Sequence, residues 1–396
     1  MIPLEISKSF IPVLKIIKGP SENISVLDFS RMMLGLSIIV WLIKDISNKQ
    51  LLFYKDKIIG YLLLFIFYCL LSVLFVSSDL HRGFIELFRY FTYFLMTVIC
   101  IRFINNKNDI ELLYKFLLIT GAILSIIGIC EYFFGFHLWN EGVGLRSNTT
   151  FMDPNLYARF LSITLIPTII FHYKRILFNN LTLNILISLQ ITALFVSVSR
   201  GGVLTFLIGL IFVYLFIERR IKVKLFPVIL AIIVFIPIIF VILVKARGGG
   251  LTLFDIGQRV GLIHTGLKIY LDNLIFGIGI GSFETVALSS FSKFLPYGGR
   301  GVTLSHTSLV TIMAELGSMG LLIVFIIFYK ILSSFKYLQT KKNEWVKTFS
   351  LIATTQIFIV LVASQSAGRM FEDPFLWFFI GVLISMKKMN DKLLTK

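Results

Sequence analysis

Long apolar runs, broken at intervals by short polar stretches, dominate this chain. Eleven of them read as membrane-crossing segments: Leu27–Ile43, Ile58–Val76, Phe84–Ile104, Leu112–Phe136, Leu156–Phe171, Leu181–Val198, Gly202–Ile217, Leu225–Val244, Thr307–Tyr329, Phe349–Val362 and Phe375–Met386. A helix needs roughly 20 apolar residues to cross a hydrocarbon core, and the last two runs are short by that measure. The runs are continuous rather than alternating, which is the pattern of helices and not of barrel strands. The expected fold is therefore all-α, a polytopic transmembrane helical bundle, with residues 1–396 forming a single integral membrane domain. One long polar interruption, residues 245–306, is expected to be a loop within it.

Composition agrees. Of 396 residues, 57% are apolar and 15% are charged, whereas a soluble domain has about a quarter charged. Such an excess excludes a chain that buries its apolar residues in one water-soluble core. A net charge of +17 would point to nucleic acid in a soluble protein; in a membrane protein the positions of the charges decide. Cys69, Cys100 and Cys130 all lie in apolar runs and show neither metal-ligand spacing nor a disulfide framework.

Alternate loops separate by charge. One set carries 18 lysines and four arginines, from Lys44 through Lys107, Lys174, Arg219 and Lys341 to Lys396. The positive-inside rule makes that set cytoplasmic. The other set comprises Ser77–Gly83, His137–Asn155, the Ser199–Gly201 turn, the long Lys245–His306 loop and Ala363–Pro374, and is expected outside. Eleven spans put the N-terminus outside as well, with Lys8, Lys15 and Lys18, against the same rule. Ile11–Ile17 reads as the remnant of a further span or as an interfacial helix. Lys15 and Lys18 interrupt it, so it is not a signal peptide. No soluble catalytic domain, internal repeat, low-complexity segment or broken helix is visible in the pattern.

The outer side prefers arginine. Beyond the first span it carries Arg82, Arg89, Arg146, Arg159, Arg200, Arg247, Arg259, Arg300 and Arg369, against only Lys245, Lys268 and Lys293. A guanidinium stays charged and grips phosphate oxygens through a planar fork of donors. The alternative is structural: arginines snorkel and pair with carboxylates, here Asp153, Glu284, Glu372 and Asp373.

Several local patterns carry candidate chemistry. Ser199-Arg200-Gly201-Gly202 joins two spans, so Arg200 stands beside a helix N-terminus; that is either an anion site or a tight turn with a snorkelling arginine. Asp255 to Arg259 opens an amphipathic stretch, with Val260, Ile263, Leu267, Tyr270 and Leu271 on one face and Gly261, His264, Thr265, Lys268 and Asp272 on the other. It suits a helix lying in the interface, with Asp255 as its cap. Gly277, Gly279 and Gly281 lack the strand and βαβ context of a dinucleotide fingerprint and are assigned to close packing. Ser305 is expected to cap the next span, leaving His306 at its mouth as a general base or a structural histidine, with Glu315 further along. Arg146 and Asn148 to Asn155 precede the span carrying Arg159, with Pro154 at its start, and read as substrate contacts or capping chemistry. There is no HExxH motif, no outer acidic cluster for a divalent metal and no P-loop, so neither metal nor cofactor is expected.

Four segments together resemble the O-antigen ligase and polymerase family of bacterial membrane glycosyltransferases: Arg146 to Asn155, Ser199 to Gly202, Arg259 to Phe283, and His306 to Leu322, in the family's order, with Glu372 to Ser385 also similar. The resemblance implies a helical fold of the GT-C type with about twelve spans, of which the first is cut down here. It implies an inverting, metal-independent transferase in the cytoplasmic membrane, its site on the extracytoplasmic face. The donor would be a glycan on undecaprenyl diphosphate, the acceptor a glycan or glycolipid. By the same resemblance Arg200 and Arg259 bind the diphosphate and His306 activates the acceptor hydroxyl, with Arg146, Asn155, Arg159, Arg300 and Glu315 as further substrate contacts. A ligase and a polymerase share these motifs. A transporter of the same lipid-linked glycan is a rival of another class, and a cell-wall glycan polymerase relying on an outer aspartate, Asp255 or Asp272, is a third reading.

Overall fold

Lipid offers no hydrogen bonds, so each apolar run satisfies its backbone by coiling. A computed structural model describes residues 35–41, 43, 54–136, 138, 146–151, 153–217, 221–224, 226–227, 229–230, 253–291, 295, 305, 307–366 and 370–394. Its helices are α1 (Lys57–Phe75), α2 (Leu80–Phe103), α3 (Lys107–Phe134), α4 (Pro154–Lys174), α5 (Asn180–Val196), α6 (Arg200–Phe216), α7 (Leu253–Asp272), α8 (Phe283–Ser290), α9 (Ser308–Gln339), α10 (Glu344–Ala363) and α11 (Pro374–Leu394), with a 3-10 turn at Met370–Glu372. Among the described residues there is no strand.

Nine of the eleven apolar runs coincide with a helix in this set. The runs Leu27–Ile43 and Leu225–Val244 lie largely outside the described residues, although 35–41 of the first and 226–227 and 229–230 of the second are helical. Lys8, Lys15, Lys18 and Ile11–Ile17 also lie outside them. Six helices are long and apolar enough to cross a membrane, and α5 and α6 are apolar but shorter, at 17 residues each. Helix α9 continues to Gln339, ten residues past the predicted end.

The polar stretches between runs start the helices. Asp56, Asp79, Asn106, Asp153, Asn179, Ser199 and Asn343 each accept a backbone N–H in the first turn that follows, as N-caps do. Large apolar side chains turn outward: on α3, Leu112, Phe116, Ile119, Ile123 and Ile126 form an exposed stripe at helical spacing. That is the arrangement lipid favours and water does not. Helices α4 and α10 are the most enclosed of the spans. Pro167 interrupts α4 and frees the carbonyl of Ile163, which accepts from Gln356 Nε2 of α10 at 3.0 Å. Gln356 Oε1 in turn accepts from Tyr114 of α3 at 2.8 Å, so a buried polar link replaces the lost helical bond.

Ion pairs sort by side. Arg82–Glu284, Arg89–Glu372 and Arg159–Asp373 join loops of the arginine-rich face. Lys387–Asp56 and Lys174–Glu344 join loops of the lysine-rich face, and Tyr54 and Tyr337 both donate to Asp391 there. The alternation read from charge is thus the alternation of the bundle.

The structure corrects the sequence reading at one span. Helix α9 shows no interruption in its apolar pattern, yet it breaks at Gly317, whose φ of 64° and ψ of −164° suit glycine alone. The break lies nine residues below Ser308, or about 14 Å along the helix. Residues following α7 fill it. Ile278 and Gly279 donate to the carbonyls of Ala314 and Glu315, and the carbonyls of Leu274 and Ile275 accept from Ser318 and Met319. The carbonyl of Leu316 accepts from Tyr68 of α1 at 2.7 Å. Every backbone group opened by this break that is named here finds a partner, which is the condition for irregular backbone at membrane depth. The glycine run allows the approach: a Cβ on Gly279 would stand 2.3 Å from the Cα of Ser77.

Helix α7 is amphipathic, but its buried face differs from the predicted one. Leu262, Thr265 and Ile269 pack inward, whereas Val260, Leu267 and Leu271 are exposed. Its second half runs beside α9, Gly266 lying against Val310 and Tyr270 hydrogen-bonding Ser318. The loop therefore re-enters the bundle instead of only lying over it. The helix begins at Leu253, so Asp255 falls inside its first turn and not before it.

Candidate functional site

On the arginine-rich face, α4 and α6 begin side by side. Ser199 caps α6 by accepting from Gly202 N at 3.1 Å, which makes Arg200 the first residue of a helix. Gly202 permits this contact, since a Cβ there would come within 2.3 Å of Ala158 on α4. Asp153 caps α4 and Pro154 occupies its first position, as the sequence predicts.

Asn155 links the two helix starts. Its Oδ1 accepts from Ser199 Oγ at 2.8 Å and from Arg146 Nη2 at 3.4 Å. Arg146 Nε donates to the carbonyl of Ser197 at 3.4 Å. Among the described residues no carboxylate lies within ion-pair reach of Arg146, which is half-buried. Burial draws its guanidinium below the usual arginine value; Asp153 opposes that shift and the neighbouring Arg200 adds to it. Two arginines and a helix N-terminus thus lie near one another, and each of the three favours an anion.

The start of α9 reaches the same corner. Ser308 N donates to the carbonyl of Ser364 at 3.3 Å, and Leu309 N to Gln365 Oε1 at 3.2 Å. Ser366, two residues on, is the nearest neighbour of Gly201. The cap of α9 is Thr307 and not Ser305, whose hydroxyl bonds Thr311 and the backbone of Thr307 instead. His306 and Arg300 lie outside the described residues, as do Arg247, Arg369, Lys245 and Lys293.

Three other predicted site residues stand elsewhere. Arg159 is buried and paired with Asp373. Glu315 is buried two residues before the break in α9, where Oε1 accepts from Phe283 N at 3.2 Å and so anchors α8. Arg259 is exposed on α7, and no hydrogen bond or ion pair joins it to the Arg146–Asn155–Ser199 group. Arg82 and Arg89 are paired with Glu284, and with Glu86 and Glu372, so for these and Arg159 the structural alternative holds. One contributor escaped the sequence reading. Glu131, fully buried at the end of α3, accepts the backbone N–H groups of Leu138, Asn148 and Thr149. A lone carboxylate within an apolar run is the signal that would have found it.

A bundle of apolar helices with lipid-facing stripes, loops sorted by charge and polar residues gathered at one end defines a multi-pass helical membrane protein. The family model for O-antigen ligase matches residues 185–325, from within α5 to the middle of α9, so this stretch of the chain is similar to that family. No curated protein matches the chain. Arg200, Arg259, His306 and Glu315 fall within the matched stretch, and Arg146, Asn155 and Arg159 precede it.

Proposed function

We propose that the chain transfers a glycan from a polyprenyl diphosphate, of the undecaprenyl class, to a sugar hydroxyl of a growing surface polysaccharide. The work takes place at the extracytoplasmic face of the cytoplasmic membrane. The observation that carries this reading is the nearness of Arg146 and Arg200 at the N-terminus of α6, with no carboxylate on Arg146 among the described residues. A diphosphate supplies the missing negative charge. Arg259, exposed on the loop helix, would close on it from above.

In the reaction the acceptor oxygen attacks the anomeric carbon from the face opposite the diphosphate. The new C–O bond forms as the bond to the diphosphate oxygen breaks, with inversion and without a metal. The acceptor proton passes to His306, which in sequence stands two residues before Ser308, and the polyprenyl diphosphate leaves with both electrons of the broken bond. Guanidiniums aimed at a developing charge contribute most where water is scarce. Replacing Arg200 by Ala should remove transfer while the protein still inserts. Normal glycan made by that variant would end the proposal for Arg200.

Transport of the same lipid-linked glycan is the second reading, because α9 is broken near mid-membrane, as transporter helices often are. The break, however, is filled by residues 274–279 of the same chain, which bond its freed backbone groups, and not by a ligand cavity. Formation of a new glycosidic bond by the purified protein in detergent excludes pure transport. Accumulation of long chains on the carrier lipid in a deletion strain indicates a ligase, and single repeat units on the final acceptor a polymerase.

A further inference from the structure

We propose that Glu131 is a positioning residue for this site: its buried carboxylate shapes the loop that carries Arg146 and thereby sets affinity for the diphosphate. The inference rests on the anion-site reading above. Glu131 is 0% exposed, in the last turn of α3. Its Oε1 accepts from Leu138 N at 3.1 Å, and its Oε2 from Asn148 N at 3.2 Å and Thr149 N at 2.8 Å. A buried carboxylate is tolerated only with such compensation, and charge-assisted bonds of this kind are the strong ones.

The loop needs that hold. Thr149 adopts a φ of 50°, a left-handed value costly for a β-branched residue. Its N–H and that of Asn148 converge on one carboxylate oxygen, a geometry no apolar or shortened side chain at 131 reproduces. Ser147 adds a second fastening: its N–H donates to the carbonyl of Val196 at 3.1 Å and its hydroxyl to that of Gly128. Arg146 emerges from this fastened segment and reaches Ser197 and Asn155. Glu131 thus fixes the position of Arg146 relative to Arg200 without touching a substrate.

The test uses the full chain in detergent micelles, with undecaprenyl diphosphate as the probe and its dissociation constant as the readout. Glu131→Ala should weaken binding by on the order of tenfold, the low end of what loss of a supporting partner costs a binding site. Glu131→Gln keeps one acceptor oxygen and should fall between Ala and wild type. If Glu131 acts through Arg146, the double variant Glu131→Ala/Arg146→Ala binds no more weakly than Arg146→Ala alone. A merely structural role would instead lower thermal stability and leave the affinity of the folded fraction unchanged. Wild-type affinity in Glu131→Ala, or a double variant weaker than Arg146→Ala by the full Glu131 factor, overturns the inference. Wild-type affinity in Arg146→Ala overturns the anion-site reading itself. Should Glu131→Ala fail to accumulate in membranes, Ser147→Ala removes the second fastening and is judged by the same cycle.

Discussion

Two sets of arginines occupy one face of this bundle and differ in what they touch. Arg82, Arg89 and Arg159 each meet a carboxylate, on Glu284, on Glu86 and Glu372, and on Asp373. Among the described residues Arg146 hydrogen-bonds the oxygens of Ser197 and Asn155, beside a second arginine and a helix N-terminus. The first set ties helices together: α2 to the long loop, α2 to the 3-10 turn, and α4 to the start of α11. The second places two positive charges close together at a helix start in a partly buried place, with Asp153 opposing part of their mutual effect on Arg146. Neighbouring positive charges beside a helix N-terminus favour an anion, so an anionic ligand suits the second set, whereas the first already meets carboxylates.

That contrast breaks or sharpens under substitution. After the loss of transfer expected for Arg200→Ala, the next largest effect on transfer is expected at Arg146. Arg146→Ala should lower activity by about 10²-fold, the scale seen when one preorganised donor to a developing charge is removed. Arg82→Ala should leave transfer near wild type once corrected for folded protein. Assay of both in membranes of equal protein content separates them, and equal losses would erase the distinction between the sets.

The largest effect on stability belongs to Arg159–Asp373. Asp373→Asn retains an oxygen to accept from Phe375 N but removes the charge opposite Arg159. Both side chains are about 5% exposed, so removing the charge opposite Arg159 should cost up to about 3–5 kcal/mol, read as a lower thermal midpoint in detergent. Activity per folded molecule should hold, and the apolar pair Arg159→Met/Asp373→Leu should regain most of the midpoint. If activity fell as steeply as Arg146→Ala predicts, Arg159 would belong with the ligand-binding set. The smallest effect is expected at Glu284→Gln. Its carboxylate is 26% exposed, and such pairs contribute about 1 kcal/mol or less.

Much of this was legible beforehand. Continuous apolar runs report their own helices because each must satisfy its backbone internally, and nine runs became helices, several of them extending past the apolar run into polar flanks. Asp153 with Pro154, and Ser199 before Arg200, announced two helix starts through local chemistry alone. The break at Gly317 was not legible. Its neighbours Leu316, Ser318 and Met319 fit a helix as well as any residues of that span, and the partners that complete the break lie some forty residues earlier, at Leu274 to Gly279. Ser305 was misread for a related reason: the helix starts two residues later, where Ser364 and Gln365 supply the contacts.

By itself, then, the order of residues determined the class of the molecule, the alternation of its loops and which residue types gather on each face. These follow from hydropathy, chain length and charge, which are local sums. Which arginine would be neutralised was decided only in three dimensions. Arg159 and Asp373 are more than two hundred positions apart, and Arg146 and Ser197 about fifty, so partnership depends on how helices pack and not on what stands next in the chain.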